Sequence, residues 1–143
     1  MAGQTRIIVE ALEGFIEKVV KSIVLDVVAN LVRAPGEGGT PVDTGWARAN
    51  WIPVIGRPSR GAAKGGSRAD RLSGARQLQA QQETAIAAIA TGYRLSMGAV
   101  FVANNVPYIV RLNEGSSKQA PAGFVQAAII KAIKSDLAGK LGA

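Results

Sequence analysis

Residues 5–33, TRIIVEALEGFIEKVVKSIVLDVVANLVR, decide the fold class of this chain. Large apolar side chains recur there every three or four residues, which is the period of a helix with one buried face. At about 1.5 Å per residue this helix is about 43 Å long, whereas a globule of this chain length is about 37 Å across. We therefore expect the helix either to span one edge of the domain or to project from it. Its broad apolar face predicts a contact with another subunit, with Val20 and Val24 among the candidate contact residues.

The rest of the chain alternates between turn-forming and regular segments. We predict a loop over 34–41, a short helix around 46–50 capped by Asp43 or Thr44, a strand over 51–55, a helix over 75–91, strands over 93–97, 99–103 and 108–112, and a last helix over 122–141. The apolar face of the last helix is predicted to consist of Phe124, Ala128, Ile129, Ile133 and Leu137, with Ile130 adjacent. This order predicts one α+β domain over residues 1–143, in which a long N-terminal helix, a small antiparallel sheet, a further helix and a C-terminal helix pack together.

The composition excludes several kinds of chemistry. The chain has 143 residues, 48% of them apolar, and contains neither cysteine nor histidine. Disulfides, thiolate metal sites and imidazole bases are therefore excluded. Charged residues interrupt the apolar run of residues 7–32 at a density that argues against a membrane span, and the first residues lack a signal-peptide pattern. We expect a soluble protein without membrane contact, with no catalytic, cofactor-binding or metal-binding residue.

The net charge of +7 is concentrated in one segment. Residues 57–76 hold six basic residues and one acid, six minus one, and so carry +5. The basic residues are Arg57, Arg60, Lys64, Arg68, Arg71 and Arg76. Because residues 57–74 have few large apolar side chains and no periodicity, we predict a mobile loop there. Its charge suits DNA phosphates, an acidic protein neighbour or plain solvent equally well, and it has no aromatic side chain on which bases could stack.

Two tryptophans, Trp46 and Trp51, flank the predicted turn from the short helix to the first strand. Both suit a role as core residues. Trp46 together with Arg48 also fits an anchor of a subunit interface, because tryptophan and arginine are enriched at the energetic centres of interfaces.

Two segments together resemble a known family. Residues 41–51 read PVDTGWARANW, and residues 104–125 read NNVPYIVRLNEGSSKQAPAGFV. Both resemble motifs of bacteriophage tail-completion and neck proteins, the group that includes minor tail protein Z of phage lambda. This chain departs from the second motif at two places: Ile109 stands where alanine is usual, and Glu114 lies one position later than the usual glutamate.

The resemblance implies a structural virion protein and not an enzyme. Such a protein forms a ring of identical subunits, typically six, that completes the tail and connects it to the head-side connector. Its partners are then tail tube or terminator proteins and the connector, with transient, non-specific contact with passing DNA. It is assembled in the host cytoplasm and resides in the virion. Besides Val20 and Val24, the interface candidates are Asp43, Thr44, Trp46, Arg48, Glu114, Ser116 and Ser117. The alternative is a small basic DNA-binding or packaging accessory protein that acts through residues 57–76.

Overall fold

Five helices and a two-stranded antiparallel sheet form the part of the chain, residues 2–60 and 66–140, that the computed structural model describes. In chain order the elements are α1 (Ala2–Val32), α2 (Trp46–Ala49), β1 (Ile52–Ile55), α3 (Arg68–Gly92), β2 (Val100–Ala103), α4 (Ile109–Asn113) and α5 (Phe124–Lys140), with 3₁₀ turns at Pro35–Glu37 and Leu95–Met97. The predicted α+β class, with a long N-terminal helix, a small antiparallel sheet and a C-terminal helix, is confirmed.

The first and last helices form an antiparallel pair. Ser22 Oγ donates a hydrogen bond to the Asp136 carboxylate, and Asn30 Nδ2 donates to the Ala128 carbonyl at 3.1 Å. The residue number thus rises from 22 to 30 along α1 while it falls from 136 to 128 along α5. The C-terminal half of α1 therefore has a packing partner along its length.

The main core lies between this helix pair and the start of the sheet. Phe124 is 1% exposed. Its cluster also contains Val27, Leu31, Trp51, Ala120, Ala128 and Ala132. Trp51 Nε1 donates to Thr40 Oγ1 at 2.9 Å, and Thr40 Oγ1 donates to the Leu31 carbonyl at 2.7 Å. This relay joins the start of the sheet to the end of α1 and leaves none of its buried polar atoms unpaired, which avoids a penalty of about 1–3 kcal/mol each.

The face that α5 packs inward is only partly the predicted one. The structure buries every fourth residue, namely Phe124, Ala128, Ala132 and Asp136. Ile129, Ile133 and Leu137, which were predicted to share that face, are exposed. The helix has two neighbouring apolar faces, one small and one large. Periodicity alone does not indicate which of them meets the core.

The sheet consists of β1 and β2, which pair antiparallel with Ile52 opposite Ala103. Helix α3 covers the start of β1. Gln82 Nε2 donates to the Trp51 carbonyl at 2.9 Å and to the Arg48 carbonyl at 3.1 Å. A single buried amide therefore satisfies two backbone groups where α2 leads into β1.

Two of the three strands predicted after α3 are not strands. The strand predicted over 99–103 corresponds to β2, but Leu95–Met97 is a 3₁₀ turn and Ile109–Asn113 is helix α4. In α4, Ile109 and Leu112 pack against the cores while Val110 is exposed, which is a spacing of three. Over so short an apolar run, the periods of helix and strand do not differ enough to be distinguished.

Helix α3 begins at Arg68, inside the segment predicted to be a mobile loop over 57–74. Ser67 and Asp70 form a capping box: the Ser67 hydroxyl accepts from the Asp70 amide at 3.1 Å, and the Asp70 carboxylate accepts from the Ser67 amide at 2.9 Å. These bonds satisfy amide groups that a helix leaves free at its start. The loop prediction is therefore wrong for residues 68–74. Residues 61–65, with Lys64, lie outside the described residues.

Candidate functional site

The two sequence motifs meet in one unit of the fold. The Val42 N–H donates to Gln119 Oε1 at 2.9 Å, and Gln119 Nε2 donates back to the Val42 carbonyl at 3.0 Å. Beside this pair, Asn104 Nδ2 donates to the Ala47 carbonyl at 2.8 Å. Each of these bonds joins the first motif, residues 41–51, to the second, residues 104–125. These hydrogen bonds thus give four of the motif residues a structural role, because they join distant parts of the chain.

Trp46 belongs to this unit as a core residue. Its ring packs against Tyr108 with the centroids 6.0 Å apart and the planes at 51°, a favourable tilted arrangement. Burial raises the pKa of the Tyr108 phenol above its ordinary value. Trp46 is 3% exposed and Trp51 is 6% exposed. The interpretation of Trp46 as an interface anchor is therefore wrong, because its side chain is already covered within the subunit.

Asp43 and Thr44 hold the entry to α2. The Arg68 guanidinium donates to the exposed Asp43 carboxylate, which links the first motif to the start of α3. Thr44 Oγ1 accepts from the Trp46 amide at 3.3 Å. The cap position itself is taken by Gly45, in a left-handed conformation with φ of 81°. A side chain other than glycine is strained at that angle, so the glycine of the motif has a local cause.

The remaining motif candidates lie near the surface. Glu114 and Ser116 are exposed after α4, and Ser117 is half-buried with its hydroxyl accepting from the Gln119 amide at 3.1 Å. Arg48 is half-buried and lines an open groove of about 390 Å³ between α2 and α3. Glu114 and Ser116 are therefore free to meet a neighbour, whereas Ser117 has a structural bond within the loop.

The structure separates the predicted basic loop into two groups. The described members are Arg57 and Arg60 after β1, and Arg68, Arg71 and Arg76 on the first turns of α3. Arg68 pairs with Asp43, while Arg76 lines the groove together with Glu83. Three of the five described basic residues thus lie on helix α3, and one of them, Arg68, is paired with an acid.

The N-terminal part of α1 extends beyond its partner helix. The contact of Asn30 with Ala128 and the antiparallel direction place residue 18 level with residue 140, the last described residue of α5. Every residue from 2 to 16 is exposed. We call residues 2–16 the arm; at about 1.5 Å per residue it is about 22 Å long. Of the two outcomes predicted from the length of this helix, projection from the domain is the one observed.

The arm carries an exposed apolar stripe. We define the arm stripe as the large apolar residues within about 60° of Leu12 around the helix axis: Ile8, Val9, Leu12, Phe15 and Ile16. Leu12 is 56% exposed. Val20 and Val24, the residues at which the contact was predicted, are half-buried in the subunit. The sequence contained a signal for the arm, because the first helix is predicted to be 29 residues long and the last only 20, so one end of α1 has no partner of equal length.

A second exposed apolar surface lies on α5. We define the α5 outer face as Ile129, Ile130, Ile133 and Leu137. These side chains are 37–51% exposed, and they flank the face that α5 packs against α1. The subunit therefore presents two apolar helix surfaces to solvent, one on the arm and one on α5.

Glu17 anchors α1 at the point where the arm leaves the domain. Its carboxylate accepts from the Leu95 amide at 3.0 Å and lies 3.4 Å from the Arg94 guanidinium and 3.8 Å from the Lys21 ammonium. The Leu95 hydrogen bond and the two cations hold the pKa of Glu17 below its ordinary value, against a smaller opposing effect of burial. The 3₁₀ turn that contains Leu95 is thus attached to α1 by a charged group.

This anchor predicts an acid-dependent stability. Because the folded-state pKa of Glu17 is lowered, its stabilising effect is present above the unfolded value of about 4.3 and is lost as the pH falls through the folded value. We expect Glu17→Gln to lower the melting temperature at pH 7 and to make its decrease between about pH 5 and 3 shallower. Asp70, whose pKa its bonds to Ser67 lower, should account for part of the remaining slope. Thermal unfolding of both proteins across this range is the measurement, and parallel curves would contradict the assignment.

Within the described residues, no helix is both long and apolar enough to cross a membrane. Comparisons with protein-family models, with curated proteins and with solved structures find no match for this chain.

Proposed function

We propose that this chain is a structural subunit of a bacteriophage neck, which assembles with identical copies into a ring that completes the tail and connects it to the head-side connector. The observation that carries the proposal is the arm, a projecting helix whose apolar stripe has no covering partner among the described residues. The resemblance of residues 41–51 and 104–125 to phage neck proteins indicates which kind of assembly the arm serves.

Exposed apolar surface of this kind favours an assembling protein over an enzyme. Soluble monomers rarely expose contiguous apolar patches beyond a few hundred Å², and larger ones mark contacts with other proteins. Several residues of the two motifs form hydrogen bonds within turns or between distant parts of the same chain, which are roles in architecture. We therefore assign no catalytic residue, cofactor or metal to the proposed function.

In a ring around a DNA channel, the exposed basic residues would have negatively charged partners. Arg57 and Arg60 are exposed and pair with no described acid, so they are available to phosphates or to an acidic neighbouring protein. At physiological salt, where the Debye length is about 8 Å, such contacts are easily screened and would not hold DNA against ejection. The competing function, a DNA-binding packaging accessory, requires a stronger contact.

Substitution of the exposed basic residues tests these alternatives. We expect a chain with Arg57→Gln, Arg60→Gln and Lys64→Gln to fold normally, because none of these changes removes a described core contact. A neck subunit should bind duplex DNA only in the non-specific range, with a Kd no tighter than about 10⁻⁶ M at physiological salt, with or without the changes. Fluorescence anisotropy over a salt series measures this. Nanomolar binding that the three substitutions remove would instead establish the DNA-binding accessory.

A further inference from the structure

The arm stripe and the α5 outer face share one spacing pattern. Steps of four, three and one residue separate four of the five members of the arm stripe, namely Ile8, Leu12, Phe15 and Ile16. The same steps, taken backwards along the chain, separate the outer-face residues Leu137, Ile133, Ile130 and Ile129. Two helices that run antiparallel present such mirrored patterns to one another. In that arrangement Leu12 faces Ile133, and the two surfaces match along about 12 Å of helix.

Opposite charges lie beside the two surfaces, at positions that an antiparallel contact would bring together. Glu13 follows Leu12, and Lys134 follows Ile133, so each lies about 100° further around its helix. When two helices face one another antiparallel, these two positions fall on the same side of the contact. Neither residue forms an ion pair with another described residue. The antiparallel arrangement therefore places an unpaired carboxylate beside an unpaired ammonium at the edge of an apolar seam.

A subunit does not make this contact with itself in the structure described. Its own α5 already packs against the C-terminal half of α1, and the arm extends past residue 140, the last described residue of α5. We infer that the arm of one subunit packs antiparallel along the α5 outer face of the next copy of this chain. The inference rests on the proposed function in one respect, namely that copies of the chain assemble with one another.

This contact determines the kind of assembly. It joins two different surfaces, so each subunit donates one arm and accepts another. Such a head-to-tail interface generates a closed ring when the rotation between subunits closes, and a helical filament when it does not. In the assembly α5 lies between its own α1 and the arm of the neighbour. Its four large apolar side chains are then covered, as they are not in the isolated subunit.

Engineered cysteines test the pairing directly, because the chain has no cysteine of its own. The test variant combines Leu12→Cys with Ile133→Cys, and both positions are exposed, so the fold is retained. The matched control combines Glu10→Cys with Ile133→Cys, because Glu10 lies about 160° around the helix from Leu12. Each variant is oxidised mildly, both as purified full chain at high concentration and in cells that produce the particle. Denaturing gels without reductant then resolve covalent multimers.

The inference predicts a ladder of covalent oligomers from the test variant, with on the order of tenfold more cross-linked chain than in the control, since a disulfide requires Cα atoms within about 7 Å. Equal dimer formation by Leu12→Cys alone would mean that two arms pair with each other, and would overturn the inference. Rings or joined particles without cross-links would also overturn it, while leaving the proposed function intact. Conversely, the chain could form the covalent oligomers and yet be absent from phage particles. That result would support the contact between arm and α5 and refute the neck function.

Discussion

Replacing Leu12 with glutamate is expected to abolish assembly while the subunit remains folded. Leu12 is 56% exposed and lies at the centre of the arm stripe. Its removal deprives the isolated chain of no buried contact, and glutamate has nearly the helix propensity of leucine, so we expect the free energy of unfolding to change by no more than about 0.5 kcal/mol. In the assembly, the same change would bury an unpaired carboxylate in an apolar seam, at a cost of several kcal/mol per contact.

Two comparison variants make this result specific. Ile7→Glu introduces the same charge on the same arm, about 140° around the helix from Leu12, and should leave assembly intact. Phe124→Ala removes a side chain from the main core and should lower the free energy of unfolding by about 3–5 kcal/mol. Thermal unfolding and analytical ultracentrifugation report folding and assembly separately. If Leu12→Glu destabilises the subunit as strongly as Phe124→Ala, the arm is not a free surface and the account of it fails.

The long helix was predictable because its signal is repeated over many turns. The predicted range 5–33 compares with Ala2–Val32 in the structure. The sequence did not indicate directly at which residue of α1 the packing within the subunit ends. Apolar periodicity indicates that one face of a helix is buried. It does not indicate whether the surface that covers this face belongs to the same chain or to another. Val20 and Val24, the contact residues predicted from sequence, are half-buried within the subunit, whereas Leu12 is exposed.

The short elements were harder to predict from sequence periodicity than the long helix. The predicted strand over 108–112 contains the β-branched residues Ile109 and Val110, which favour a strand. In the structure this segment forms α4, whose Ile109 and Leu112 pack against both cores. The start of α3 was missed for another reason. Its capping box at Ser67 and Asp70 is visible in the sequence, but the glycines and charges before it suggested a loop. At this position the capping box determines where the helix begins, although the preceding composition is typical of a loop.

The candidate site was predictable only in part. The two motifs, residues 41–51 and 104–125, stand out in the sequence, and their meeting through Val42 and Gln119 requires the fold to be known. Trp46 could not be assigned from sequence, because a buried anchor and an interface anchor have the same side chain. The α5 outer face required the structure as well, since only packing shows that the alanines of α5, and not its isoleucines, meet α1.

The largest effect is expected when the chain is absent from particle assembly. The proposed function predicts that its loss leaves complete heads and complete tails that do not join. Phage production from a genome with this reading frame deleted, with and without the chain supplied from a plasmid, provides the test. Electron microscopy counts joined particles, and plaque assays measure infectivity.

The location of the chain in the joined particle tests the central claim most directly. Electron cryomicroscopy of the head–tail joint should show a ring of this chain between the connector and the tail tube. The helical arm of each subunit should lie along α5 of its neighbour. Joined, infectious particles that contain no copy of the chain would contradict the claim that it is a structural subunit of the neck.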